Sequence, residues 1–130
     1  MSAPDHVHRP RAERYWQMES ATRVAFSTVT MLGLVRVSST APLFAGSRLT
    51  SAEAWAIYLG WMQLPETLHA AEPNVCNATL SRFVSDGLVT PRTWTDAYLA
   101  AFAIAGSLRI VSFDNDFSRF PGLDFLHLIP

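Results

Sequence analysis

The chain has 130 residues, nearly half of them apolar and only 16% charged, which suits one folded domain with a real core and excludes a disordered chain. The formal net charge of −1 excludes a global pull toward nucleic acid or an anionic membrane. All ten cationic residues are Arg. That side chain favours forked contacts with phosphate, although a bias in base composition is the better explanation for the absence of Lys. A single cysteine, Cys76, excludes an internal disulfide and fits a reducing cytoplasm. No apolar run is long enough to span a bilayer, and the N-terminus does not resemble a signal peptide.

Residues 1–10 are polar and loop-like, with His6 and His8 lacking a nearby third metal ligand. Arg11 to Glu19 is expected to be helical, with Ala12, Tyr15 and Trp16 on one face and Arg9, Arg11 and Arg14 as a basic patch. Val24–Ser27 is a short strand candidate. Thr28 or Thr30 is expected to cap a helix running to about Val37. Ser39–Arg48 carries Pro42 and Gly46 and is expected to be a loop. Thr50 with Glu53 forms a capping-box pattern for a helix through Leu64, stopped by Pro65; its run Trp55–Met62 is expected to be core. Leu68–Ala71 is a second strand candidate. Asn74 or Asn77 is expected to start a helix through Val84, which Asp86-Gly87 ends.

Thr95 is the expected cap of the next helix, with Asp96 in its first turn. Tyr98, Leu99, Phe102 and Ala105 supply its apolar face, and Gly106 its stop. Arg109–Phe113 is expected to be a buried strand, Asp114–Phe117 a turn and Leu123–Leu128 a last edge strand. His69 and His127 fall on strands with structural roles, and Cys76 is expected to be an inert buried thiol. Strands separated by helices indicate a single α/β domain with a mostly parallel sheet.

In such a sheet the carboxyl ends of the strands share one edge, where ligands bind. Asp114 directly follows a strand. Asp96 opens the helix before that strand, and the helix runs antiparallel to it, so both carboxylates lie over the same edge. Asp116 is two residues on and is expected to reach the same metal through water. Oxygen donors gathered in this way suit Mg2+ or Mn2+. A metal there would activate water and stabilise charge on a phosphodiester. Two ordinary explanations stand beside this one. An acid in a first turn is a favourable charge–dipole contact, and Asp-Asn-Asp after a strand is common turn chemistry.

The segments Thr95-Asp96-Ala97-Tyr98-Leu99-Ala100-Ala101 and Arg109-Ile110-Val111-Ser112-Phe113-Asp114-Asn115-Asp116-Phe117, continuing to Leu123, resemble the C-terminal half of a PIN-domain toxin of the VapC type. Val29 to Ser39 and Leu49 to Ala54 resemble its middle, and Asp5-His6-Val7-His8 the segment after its first strand. The resemblance implies a PIN-like three-layer α/β/α sandwich and a Mg2+-dependent endoribonuclease (Mn2+ being an alternative). It further implies action on cellular RNA in the cytoplasm, inhibition by a cognate antitoxin and, often, a homodimer. Asp96 and Asp114 are then metal ligands, with Asp116 assisting catalysis. Thr95 steadies the site. Arg36 contacts RNA phosphate or, equally, a helix C-terminus.

Two departures accompany the resemblance. The family's first strand ends in an acid that is the principal metal ligand, whereas this sequence starts just beyond that point. Met31 stands where the family often has another acid. The expectation is a start lying upstream, or a shortened copy without its first strand. A second reading follows: a catalytically inactive PIN remnant that binds an antitoxin or a second subunit. A third is an unrelated α/β domain for a small molecule.

Overall fold

The computed structural model describes Arg14, residues 23–40 and residues 48–129. The expected first helix and the segment resembling the family's first loop lie outside the described residues, except that Arg14 is helical and exposed. The chain divides into two compact units, one reaching to Ala71 and the other running from Glu72 to Ile129.

In the first unit β1 (Val24–Phe26) leads into α1 (Thr28–Thr40), followed by α2 (Ser51–Met62) and β2 (Thr67–His69). β1 and β2 pair in parallel, Val24 opposite Thr67 and Phe26 opposite His69. The cap of α1 is Ser27, not Thr28 or Thr30. Its hydroxyl accepts the Thr30 N–H at 3.1 Å, and the Thr30 hydroxyl accepts the Ser27 N–H at 2.8 Å. Thr30 thus takes the reciprocal role that Glu takes in a capping box. α1 also outruns its expected end. Ser39 and Thr40 are helical rather than loop, their hydroxyls donating back to the carbonyls of Val35 and Arg36 at 2.8 Å.

The capping box of α2 is present as expected, with Glu53 N–H to Thr50 Oγ1 at 3.1 Å and Thr50 N–H to Glu53 Oε1 at 2.9 Å. The run Trp55–Met62 is not core throughout. Ala54 and Tyr58 are buried, while Trp55 and Leu59 are each 44% exposed. One helical face packs, and Tyr58 meets Phe26 edge-on at 5.5 Å. His69 is held between Thr28 and Tyr58, each at 3.4 Å.

The second unit comprises α3 (Cys76–Ser85), α4 (Trp94–Ala105), β3 (Arg109–Ser112), the 3-10 turn η1 (Asn115–Arg119) and β4 (Asp124–His127). β3 and β4 are parallel, Arg109 opposite Asp124 and Ser112 opposite His127. Parallel strands need a crossover, and residues 113–123 with η1 provide it. Neither expected asparagine caps α3; the chain enters it at Val75 without a side-chain cap. Cys76 is fully buried there and its thiol is pushed up, first by burial and then by the charge of Glu72.

The buried face of α4 also differs from expectation. It consists of Ala97, Ala100, Ala101, Phe102 and Ala103, whereas Tyr98, Leu99 and Ala105 are only half-buried. Small side chains let a helix approach its neighbour closely, so the alanines rather than the larger residues mark the contact. β3 is half-buried rather than buried and ends at Ser112. The described strands pair as two two-stranded sheets, β1 with β2 and β3 with β4, each parallel, in keeping with an α/β fold.

Both helices of this unit end in the same hydrogen-bond pattern. Leu88 N–H reaches Phe83 O and Gly87 N–H reaches Val84 O after α3; Leu108 N–H reaches Ala103 O and Ser107 N–H reaches Ile104 O after α4. This is the Schellman arrangement, which needs a left-handed residue. After α3 that residue is Gly87 at φ 73°, but after α4 it is Ser107 at φ 55°, not Gly106. Replacing Ser107→Gly is therefore expected to stabilise the chain by about 1 kcal/mol, and Gly87→Ala to destabilise it by a similar amount. Urea midpoints compared at constant m-value check both signs.

Candidate metal site

The site is built from the two ends of the α4–β3 unit. The segment Thr90-Pro91-Arg92-Thr93 is a turn with Pro at its second position. Thr93 N–H donates to Thr90 O at 3.0 Å, and Thr90 N–H donates to Thr93 Oγ1 at 2.8 Å. This turn starts α4 at Trp94, so Thr95 is not the cap; it lies inside the first turn and is exposed. The Thr93 hydroxyl, engaged with Thr90, occupies the entry position that the sequence pattern assigns to Thr95. Asp96 falls in the first turn, as expected.

At the other end, Ser112 closes β3 and its hydroxyl accepts the Asp114 N–H at 3.0 Å. The Asp114 carboxylate accepts the Asp116 N–H at 2.9 Å. Asp114 thereby caps η1, and the expected turn at Asp114–Phe117 is a 3-10 helix reaching Arg119. After it, Phe120-Pro121-Gly122-Leu123 turns the chain into β4, with Gly122 at φ 87° and Leu123 N–H to Phe120 O at 3.5 Å. Pro followed by a positive-φ Gly is the type II pattern.

Both ordinary readings of the acids are thus present: Asp96 sits at a helix start and Asp114 makes a turn. They coexist with convergence. One carboxylate oxygen from each of Asp96, Asp114 and Asp116 lies within 4.8 Å of the others. Asp96 is half-buried, while Asp114 and Asp116 are exposed. Burial raises the Asp96 carboxyl above its ordinary value; the charges of Asp114 and Asp116 raise it further, and Arg119 opposes them. The donor set consists of three anionic oxygens, which fits a hard divalent cation and offers nothing to a soft one.

Arg119 was not singled out from the sequence. Its guanidinium lies 3.5 Å from the Asp116 carboxylate, and its Nε donates to the Asp116 carbonyl at 3.1 Å. Residues three apart are neighbours on any helical turn and eclipse in a 3-10 turn, which brings Arg119 over Asp116. Arg36 belongs to the other unit, exposed on α1, and is not among the residues gathered here. Its carbonyl accepts the hydroxyls of Ser39 and Thr40. Met31, on the same helix, is half-buried and offers no oxygen. His127 plays the structural part expected of it, 3.0 Å from Phe113 O and stacked on Phe125.

Because Asp96 is more readily protonated in the folded chain than in the unfolded one, its ionisation opposes folding above the ordinary carboxylate range. Asp96→Asn is therefore expected to raise the melting temperature of metal-free protein at neutral pH by about 2–4 °C. The difference should shrink as pH falls through the raised Asp96 range and vanish below the unfolded value, where both chains are neutral at this position. Thermal melts with chelator from pH 3 to 8 check this.

A comparison with protein-family profiles finds no match. Individual relatives do match. The chain is 31% identical over 125 residues to ribonuclease VapC41 of Mycobacterium tuberculosis, covering 92% of this chain and 85% of the relative. It is 32% identical over 107 residues to ribonuclease VapC37 of the same organism, covering 82% and 73% respectively. A crystal structure of VapBC2 from Rickettsia felis, bound to a DNA fragment from its promoter, has a chain of the same fold. The TM-score is 0.61 at 16% identity, over 91% of this chain and 84% of that one.

Proposed function

Since the chain belongs to the VapC ribonuclease family, we propose that it is the toxin of a toxin–antitoxin pair and cleaves cellular RNA in the cytoplasm with Mg2+, or Mn2+, held by Asp96 and Asp114. Residues 1–130 form one PIN-like domain in this reading. Its partners are the RNA, a cognate antitoxin and, as in many PIN-domain toxins, a second copy of the chain. No helix among the described residues is long and apolar enough to cross a membrane. The observation that carries the proposal is the convergence of the three carboxylates.

Each acid has a distinct task. Asp96 is half-buried beside two like charges, which destabilise its anion, so it gains from a cation. Asp114 has one oxygen fixed by the Asp116 N–H; its carboxylate holds metal or orients the attacking water. Asp116, 60% exposed at its side chain, assists through water. Thr95, exposed beside Asp96 on the same turn, steadies the approach to it, and Arg36 is a second candidate contact for RNA phosphate. When bound, the divalent cation supplies an acidified water and neutralises charge developing on the phosphodiester.

Asp96→Asn is expected to lower Mg2+ affinity at least about tenfold in calorimetry with the fold intact, the loss of one anionic ligand being worth roughly 1.4 kcal/mol or more. RNA cleavage should be abolished by chelator and should fall at least about 100-fold in Asp96→Asn and Asp114→Asn. An unchanged Mg2+ affinity would remove Asp96 from the site. Met31 on α1 favours a second reading, a remnant that binds antitoxin or a second copy without cleaving; RNA left intact by the full chain with either metal selects it.

A further inference from the structure

Arg119 is an anomaly for a site whose other groups attract cations. Its guanidinium lies 3.5 Å from the Asp116 carboxylate, so its positive charge works against any metal held there. A residue that weakens one ligand of its own site persists at no disadvantage when it strengthens another. The complementary ligand is an anion, and the RNA phosphate that must approach three carboxylates is one. We propose that Arg119 is a phosphate-binding residue of this site, its guanidinium gripping a non-bridging oxygen of the RNA backbone beside the carboxylates. This rests on the RNA-cleaving reading of the site.

The geometry supports a positioned but uncommitted fork. Nε is tied to the Asp116 carbonyl at 3.1 Å, and the guanidinium lies over the Phe120 ring at 5.9 Å, which together fix its plane. Nη2 stands 3.5 Å from the Asp116 carboxylate, well beyond the 2.7–2.9 Å of a tight charge-assisted bond. Among the described residues Nη1 has no hydrogen-bond partner. The side chain is 32% exposed, so a phosphate can reach it. Two other arginines of this unit are placed differently. Arg109 is paired with Asp124 at 3.1 Å at the far end of β3, and Arg82 lies over Phe83. A planar fork held beside a metal site is the geometry that reads phosphate, and a lysine would supply charge without it.

The test uses a fluorescein-labelled single-stranded RNA in chelator, where nothing is cleaved, with affinity measured by anisotropy across a salt series for the full-length wild type, Arg119→Gln, Arg119→Lys and Arg109→Gln. Arg119→Gln is expected to bind about tenfold more weakly at low salt. The slope of log affinity against log salt should fall by about 0.7, the loss of one single-strand phosphate contact. Arg119→Lys should keep the slope with reduced affinity, and Arg109→Gln should match wild type. Mg2+ affinity of Arg119→Gln should tighten about threefold, since a competing charge is gone. Equal slopes in wild type and Arg119→Gln, no RNA binding by wild type, or a weakened Mg2+ affinity in Arg119→Gln would overturn the assignment; the last would make Arg119 a brace for Asp116. A single cooperative melting transition well above the assay temperature shows that each variant folds. A lost slope in a protein that never cleaves RNA defeats the nuclease reading alone, whereas active wild type with an unchanged Arg119→Gln slope defeats the phosphate contact alone.

Discussion

Mutual repulsion among Asp96, Asp114 and Asp116 is the constraint around which the Glu72–Ile129 unit is arranged. Like charges within 4.8 Å of one another oppose folding, and burial of Asp96 adds to the penalty. The unit holds them together with interactions that do not involve the carboxylates' charge. The alanine face of α4 packs closely, and β3 and β4 pair in register. Phe83 meets Phe120 at 4.9 Å and Phe117 meets Phe125 at 5.8 Å, both as tilted ring pairs. The site thus draws its stability from apolar packing and stores electrostatic strain, which a bound cation would relieve.

Local hydrogen bonding then sets where each charge points. The Thr90–Thr93 turn decides at which residue α4 begins, and hence that Asp96 falls in its first turn. The Schellman ending carries the chain from α4 into β3 within a few residues, at the cost of a serine in the left-handed region. Ser112 caps Asp114, and Asp114 caps η1. One carboxylate therefore serves both the turn and the cluster. The structural and chemical explanations of Asp114 are parts of one arrangement rather than alternatives.

Arg119 is the counterweight. It lowers the electrostatic cost of the cluster, and the same charge is matched to phosphate. Its position follows from η1 being helical, which brings it over Asp116 three residues back. Tyr98 shows the contrast. It also lies near an acid, donating to Glu72 at 2.6 Å, and its hydroxyl is pushed up to about 12 by burial and by that carboxylate. That pair joins α4 to the segment before α3 and stands apart from the three aspartates.

Element types, the Thr50–Glu53 box, the Asp86-Gly87 stop and the approach of Asp96 to Asp114 were legible in the sequence, because each follows from near-neighbour chemistry or from the handed geometry of a helix crossing onto a parallel strand. The resemblance of the TDAYLAA and FDND segments pointed to the family that the relatives establish. Cap identities were not legible, since Ser27, Thr28 and Thr30, or Thr93 and Thr95, offer the same hydroxyl, and packing alone selects which one sits at the helix entry. Nor was the alanine face of α4, because hydrophobicity favours the larger residues while close approach favours the smaller. Arg119 was hidden for a third reason: the sequence reads as a turn ending at Phe117, and only a helical segment reaching Arg119 brings it back over Asp116. What the sequence determined by itself is which groups carry charge and roughly where the helices and strands run. Tertiary structure alone decided which hydroxyl enters each helix, which face of α4 packs and that Arg119 joins the acids, because those choices are set by packing that no local pattern encodes.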